Sequence, residues 1–122
     1  MTLKGKVKSG MNNLSYWMNK LEAHYSQKTD MKLFPGSLNI ELSEPYTLPP
    51  DVIRLEKEEY GGTVSVSILP CQIFDRKAFI VRTDKNASGE GDHPLNIIEV
   101  VTDVKLRDEY GLADGDVVEV FI

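Results

Sequence analysis

Polar and apolar residues alternate sharply at the start of the chain. Leu3, Gly5 and Val7 lie on one face and Lys4, Lys6 and Lys8 on the other, the period of a half-buried strand. Ser9-Gly10 breaks the pattern. From Asn13 the spacing turns helical: Leu14, Trp17, Met18, Leu21 and Tyr25 fall at i, i+3, i+4, i+7 and i+11. This predicts one amphipathic helix, N-capped by Asn12 or Asn13 and fading near Gln27 or Lys28. Phe34-Pro35-Gly36 reads as a turn into a strand over 37–42, in which Leu38, Ile40 and Leu42 share a face.

Residues 43–50 carry three prolines and read as a surface loop. A strand over 52–57 ends near Tyr60-Gly61-Gly62, and a long β-rich run over 63–74 holds Pro70 as an edge or bulge marker. Asp75-Arg76 reads as a hairpin tip leading into a strand over 77–82. Residues 83–94 are rich in Gly, Asn, Ser and Asp and exceed an ordinary connection, which invites a functional role. A strand over 96–101, a short helix over 104–110, a turn over 112–116 and a final strand over 117–122 complete the chain. Seven or so short strands with two helices predict a β-dominated domain spanning 1–122. A small closed barrel is the economical solution, because closure leaves no exposed strand edge.

Composition narrows the function classes. The 122 residues are 41% hydrophobic and 27% charged, enough for a packed core. Fourteen Lys and Arg stand against nineteen Asp and Glu, a formal net charge of −5. That balance argues against coating nucleic acid, which needs clustered cations. No apolar run reaches the roughly 18 residues of a membrane helix, and MTLKGKVKSG lacks a secretory signal's apolar stretch. The single cysteine, Cys71, excludes an internal disulfide and any cysteine metal knuckle. The expectation is a cytoplasmic protein, with a monomer favoured.

Familiar catalytic inventories are nearly empty. His24 and His93 stand far apart, and His24 reads as a surface residue on the helix. No nucleophile elbow or Walker-type loop is present. Three segments remain. In Pro35-Gly36-Ser37-Leu38-Asn39, the Ser37 hydroxyl and the Asn39 amide share a strand face opposite Leu38. Two such neutral oxygens hold Mg²⁺ weakly unless nucleotide phosphates add ligands. Glu99 interrupts an apolar strand, so it either faces solvent or accepts hydrogen bonds from a ligand. Val104, Lys105, Leu106 and Arg107 open a short helix whose free N–H groups suit an anion, unless Arg107 simply forms a surface ion pair. The strand–turn–helix step through Gly10 offers a further phosphate cradle beside the lysine face.

Together these segments resemble one family, the CTP-dependent riboflavin kinases. The likeness rests on Val7-Lys8-Ser9-Gly10, Gly36-Ser37-Leu38-Asn39, Ile98-Glu99, Leu106-Arg107 and Leu112-Ala113-Asp114-Gly115-Asp116, in that order over nearly the whole chain. The resemblance implies a six-stranded cradle-loop barrel that transfers the terminal phosphate of CTP to the ribityl 5′-hydroxyl of riboflavin, giving FMN and CDP. It implies Ser37 and Asn39 as Mg²⁺ ligands, Ser37 standing where the family has threonine. Gly10, Met11, Asn12, Asn13, Val104, Lys105, Leu106 and Arg107 would border the nucleotide. Glu99 would contact the flavin and is the sole candidate general base. A flavin-contacting threonine of the family aligns with Gly91, leaving Thr83 or Ser88 to supply a hydroxyl.

Two departures stand out. The family's Gly-Leu-Gly-Glu-Gly loop is here Gly10-Met11-Asn12-Asn13-Leu14, and Leu14 resists the left-handed backbone a glycine adopts. The 83–94 segment is also longer. A non-catalytic flavin- or nucleotide-binding module and a barrel-type transcription regulator therefore stay open beside the kinase.

Overall fold

The computed structural model describes residues 1–10, 14–91 and 94–122. Seven strands form one antiparallel sheet: β1 (Thr2–Lys8), β2 (Leu38–Leu42), β3 (Ile53–Leu55), β4 (Val66–Ile73), β5 (Arg76–Thr83), β6 (Ile97–Val101) and β7 (Val117–Phe121). The order β4-β5-β6-β2-β1-β7 returns to β4 through the Gln72–Phe121 and Ile73–Val120 pairs, which closes a six-stranded barrel. β3 is the extra strand, added to β4 at Val66–Ile68. Pro70 lies on β4 between the stretches that pair with β3 and with β7. No third strand needs its missing N–H there.

Period-two alternation fills the barrel. Val7, Leu38, Ile40, Ile73, Ile80, Ile98, Val100 and Val120 point inward and belong to one buried cluster. Each such side chain contributes roughly 1.5–3 kcal/mol by leaving water. Gly5 shares the inward face of β1, where a Cβ would stand 2.5 Å from the Glu41 carbonyl oxygen. Its missing side chain lets β1 and β2 close.

A second cluster lies outside the wall, where Met18, Leu21, Tyr25 and Leu33 cover Ile68, Phe79, Val81 and Val101. The expected single helix is two: α1 (Leu14–Lys20) and α2 (Glu22–Thr29), interrupted at Leu21 (φ −108°, ψ 26°). The break re-aims the apolar stripe. Met18, Leu21 and Tyr25 are buried, whereas Trp17, expected in the core, is 38% exposed beside Tyr16 and Lys20. The expected Asn12 or Asn13 cap lies outside the described residues.

Other boundaries shift for local reasons. The hairpin tip is Phe74-Asp75, both at positive φ (53° and 58°), one residue earlier than the sequence suggests. The strand expected over 52–57 stops at Leu55, because Glu56 and Glu59 form a capping box that starts α3 (Lys57–Tyr60). The long 83–94 connection contains α4 (Asp84–Ala87), capped by Thr83, whose hydroxyl accepts the Asn86 N–H at 3.0 Å. α5 (Leu106–Tyr110) begins two residues later than expected, with Val104 and Lys105 outside it.

Three devices hold the loops to the barrel. The Arg82 guanidinium is buried and donates to the carbonyls of Tyr46, Leu95 and Ile97, tying the 43–52 loop to the entry of β6. Burial depresses its pKa. Phe74 stacks on Tyr110 at 4.2 Å while Arg76 reaches Asp103 at 2.7 Å, docking the hairpin tip on α5. Arg54 grips Asp84 through both carboxylate oxygens at 2.7 Å and also holds Glu56, fixing α4.

The Arg54 hydrogen bond holds the Asp84 carboxyl below its ordinary value of 3.8. A folded-state pKa below the unfolded one stabilises above the unfolded value and is lost as pH falls through the folded value. Asp84 is half exposed, so screening limits the contribution to about 1 kcal/mol or less. Thermal melts should therefore show wild type above Asp84→Asn at neutral pH. The gap should shrink as pH drops below the ordinary carboxylate range. A gap constant down to strong acid would contradict this role.

Candidate functional site

The turn before β2 is fixed from two sides. Phe34 N–H donates to the Thr102 carbonyl at 2.8 Å, and the buried Thr102 hydroxyl donates to the Lys77 carbonyl at 2.7 Å. Gly36 N–H meets Met18 Sδ at 3.4 Å. Gly36 has φ +140°, a backbone that L side chains rarely adopt. The chain leaves this turn with Ser37 and Asn39 on the outer face and Leu38 inside the barrel.

The register of β2 with β6 places Asn39 directly opposite Glu99. Ser37 Oγ donates to Glu99 Oε1 at 3.0 Å. The Ser37–Asn39 pair read from spacing and the Glu99 read from its odd position are thus one cluster. Glu99 is half-buried on the outer face of the barrel and accepts the Ser37 bond there. Asn39 is 6% exposed, and its Oδ1 is buried without a hydrogen-bond partner among the described residues. Such an acceptor is costly unless a donor or cation completes it. On the other side, a Cβ at Gly10 would stand 2.1 Å from Asn39 Nδ2, so the end of β1 rests on this amide.

This donor set fits a hard divalent cation of limited affinity. Ser37 and Asn39 present neutral oxygens, and no group of three His, Cys, Asp or Glu suited to a metal occurs among the described residues. Tyr25 lies behind the cluster. Burial first, then the neighbouring Tyr60 and Glu99, push its hydroxyl up to about 12, so it stays protonated.

A hollow of about 230 Å³ adjoins Ser37. Phe34, Pro35 and Gly36 form one wall and Val104, Lys105, Leu106 and Arg107 the opposite one, joining two segments singled out separately in the sequence. Leu106 is itself buried in the barrel cluster. Arg107 Nη2 holds Asp114 Oδ1 at 2.6 Å, the ion pair that its sequence allowed, while still lining the hollow. A larger hollow of about 360 Å³, under Leu48, Pro49 and Pro50, contains none of the candidate residues.

The remaining candidates sit elsewhere. The Thr83 hydroxyl is engaged in capping α4, and Gly91 packs on the same helix, with Asn86 Oδ1 2.4 Å from where its Cβ would be. Ser88 donates to the Lys85 carbonyl. His24 Nε2 lies 3.3 Å from the Glu59 carbonyl, at the surface as expected. Burial pushes the Cys71 thiol up to about 12, which removes it as a nucleophile. Lys4, Lys6 and Lys8 are exposed, and Lys8 pairs with Glu41 at 3.0 Å. Met11, Asn12, Asn13 and His93 lie outside the described residues. Leu14 opens α1 and packs against the helix-side cluster, so it occupies right-handed backbone.

Residues 7–122 match the family model CTP-dep_RFKase, described as a domain of unknown function, DUF120. The chain belongs to this family. It is 32% identical to the riboflavin kinase of Methanocella arvoryzae over 127 residues, covering 97% of this chain and 55% of that protein. For the riboflavin kinase of Pyrobaculum arsenaticum the identity is 33% over 130 residues, covering 97% and 59%. For that of Archaeoglobus fulgidus it is 30% over 132 residues, covering 97% and 53%. The chain therefore spans between about half and three-fifths of the length of these curated relatives.

The Gly10–Asn39 contact makes a direct prediction. Gly10→Ala must displace the Asn39 amide, while leaving the barrel clusters untouched. The Asn39 side-chain NH₂ resonances should move in a ¹⁵N spectrum, with the thermal midpoint nearly unchanged. Unmoved resonances would contradict the packing described here.

Proposed function

We propose that this chain transfers the terminal phosphate of CTP to the 5′-hydroxyl of riboflavin, giving FMN and CDP in a Mg²⁺-dependent reaction. Membership of the family and likeness to archaeal riboflavin kinases support the substrate class. The observation that carries the assignment within this chain is the unsatisfied Asn39 Oδ1, buried beside Ser37 and opposite Glu99.

Ser37 Oγ and Asn39 Oδ1 hold the cation through neutral oxygens, with nucleotide phosphates completing its shell. A cation held there would supply charge neutralisation for the transferring phosphate. Phe34, Pro35 and the 104–107 segment border the nucleoside. Gly10, at the exit of β1, borders the phosphates. Glu99 lies one strand from Asn39, where its carboxylate accepts a hydrogen bond from the ribityl hydroxyl and takes its proton as the new P–O bond forms. The bond from the terminal phosphorus to CDP breaks in the same step. Phosphoryl transfer asks mainly for position and charge, so the absence of a triad or an activated cysteine is no obstacle.

A second reading has its own support. The chain keeps Gly10 but has Asn12 and Leu14 where the resemblance leads to glycines, and this favours a module of the same fold that binds flavin or nucleotide without turnover. One experiment separates the two: incubation with riboflavin, Mg²⁺ and each nucleoside triphosphate in turn, with the products separated by chromatography. The kinase reading predicts FMN with CTP, and a loss of about 10²-fold or more in Asn39→Ala at an unchanged thermal midpoint. Quenched riboflavin fluorescence without FMN from any triphosphate would replace it with the binding module. Normal turnover by Asn39→Ala would remove the oxygen pair from the mechanism.

A further inference from the structure

Asp114 lies outside the hollow, yet its Oδ1 joins two elements that flank it. Arg107 Nη2 donates to this oxygen at 2.6 Å, and Ser9 Oγ donates to the same oxygen at 2.9 Å. Arg107 Nη2 also lies 3.3 Å from Ser9 Oγ. One end of this triangle is a wall residue of the hollow. The other is the residue before Gly10, which rests on the Asn39 amide. The backbone beneath is rigid: Val7 N–H donates to the Asp116 carbonyl and Gly115 N–H to the Val7 carbonyl, both at 2.8 Å. The Asp116 carboxylate accepts Ala113 N–H at 2.8 Å and closes the turn.

We propose that Asp114 is a positioning residue for the nucleotide side of the site: it fixes the Arg107 guanidinium and the Ser9-Gly10 exit of β1 relative to each other. The inference rests on the kinase reading for its ligand. Without the shared acceptor, Arg107 is free to leave the wall, and Ser9 loses the tie that sets Gly10 against Asn39. Geometry matters more than charge here. The Asp114 side chain is 55% exposed, where ion pairs are screened, and one oxygen takes both the Arg107 and the Ser9 hydroxyl bonds. An asparagine oxygen can replace it.

The test compares wild type, Asp114→Ala, Asp114→Asn and Ser9→Ala by steady-state kinetics and by calorimetric binding of CDP with Mg²⁺. Asp114→Ala should raise KM for CTP and Kd for CDP about tenfold. KM for riboflavin should stay within twofold, and the thermal midpoint should barely move. Asp114→Asn should restore both nucleotide constants to within about threefold of wild type, and Ser9→Ala should fall between. Unchanged nucleotide constants in Asp114→Ala would overturn the proposal. So would an equal rise in both KM values with a large fall in stability, or an Asn variant as impaired as the Ala. If wild type makes no FMN, the kinase reading falls, while the CDP calorimetry still decides the role of Asp114. A wild type that binds no CDP overturns both.

Discussion

One strand pairing organises the site: the antiparallel register of β2 with β6, which sets Asn39 across from Glu99. Neither residue belongs on an apolar wall by its own chemistry. Asn39 is buried with an unmatched acceptor, and Glu99 sits between Ile98 and Val100, both of which point into the core. A slip of β2 by one residue would send Asn39 inward and turn Leu38 and Ile40 out, at a cost of several kcal/mol in lost burial. The hydrophobic interior therefore fixes the register, and the register holds the unmatched Asn39 acceptor beside the Glu99 carboxylate at the outer face. Local stability is given up there, as functional sites commonly require.

Barrel closure brings the remaining parts within reach. Because β1 pairs with both β2 and β7, its exit at Ser9-Gly10 meets Asn39 on one side and the Asp114 turn on the other. Because β6 leads through Thr102 towards α5, the 104–107 segment returns against the turn before β2. Segments as far apart as Ser9 and Asp114, 105 residues in sequence, thus share one rim. The hairpin tip, through Phe74 on Tyr110, keeps α5 seated over the barrel end.

Much of this was legible in the chain. Alternation located the barrel strands, since period two is enforced by one buried face. The Ser37–Asn39 pair was readable from spacing, and Glu99 from its breach of an apolar run. The helix break at Leu21 was not, because the i, i+3, i+4 stripe continues through it and only packing on Phe79 and Val81 selects which apolar residues turn inward. Trp17 was misplaced for that reason. The hairpin tip shifted because Phe74, an aromatic at positive φ, gives no turn signal and is held by its stack on Tyr110. The meeting of Ser37 with Glu99, and of Arg107 with Ser9 through Asp114, depends on contacts far apart in sequence that no local pattern encodes. Thr83 read as a substrate contact, whereas its hydroxyl caps the helix formed by the extra length of its own loop.

The central claim is that Ser37 and Asn39 jointly hold a divalent cation beside a nucleotide. The most direct measurement substitutes paramagnetic Mn²⁺ for Mg²⁺ and follows the side-chain amide signals of ¹⁵N-labelled protein with CDP present. The account predicts strong broadening of the Asn39 amide at low Mn²⁺ only when the nucleotide is added, with Asn19 and Asn96 sharp. A sharp Asn39 signal in the presence of bound Mn²⁺ and CDP would contradict it.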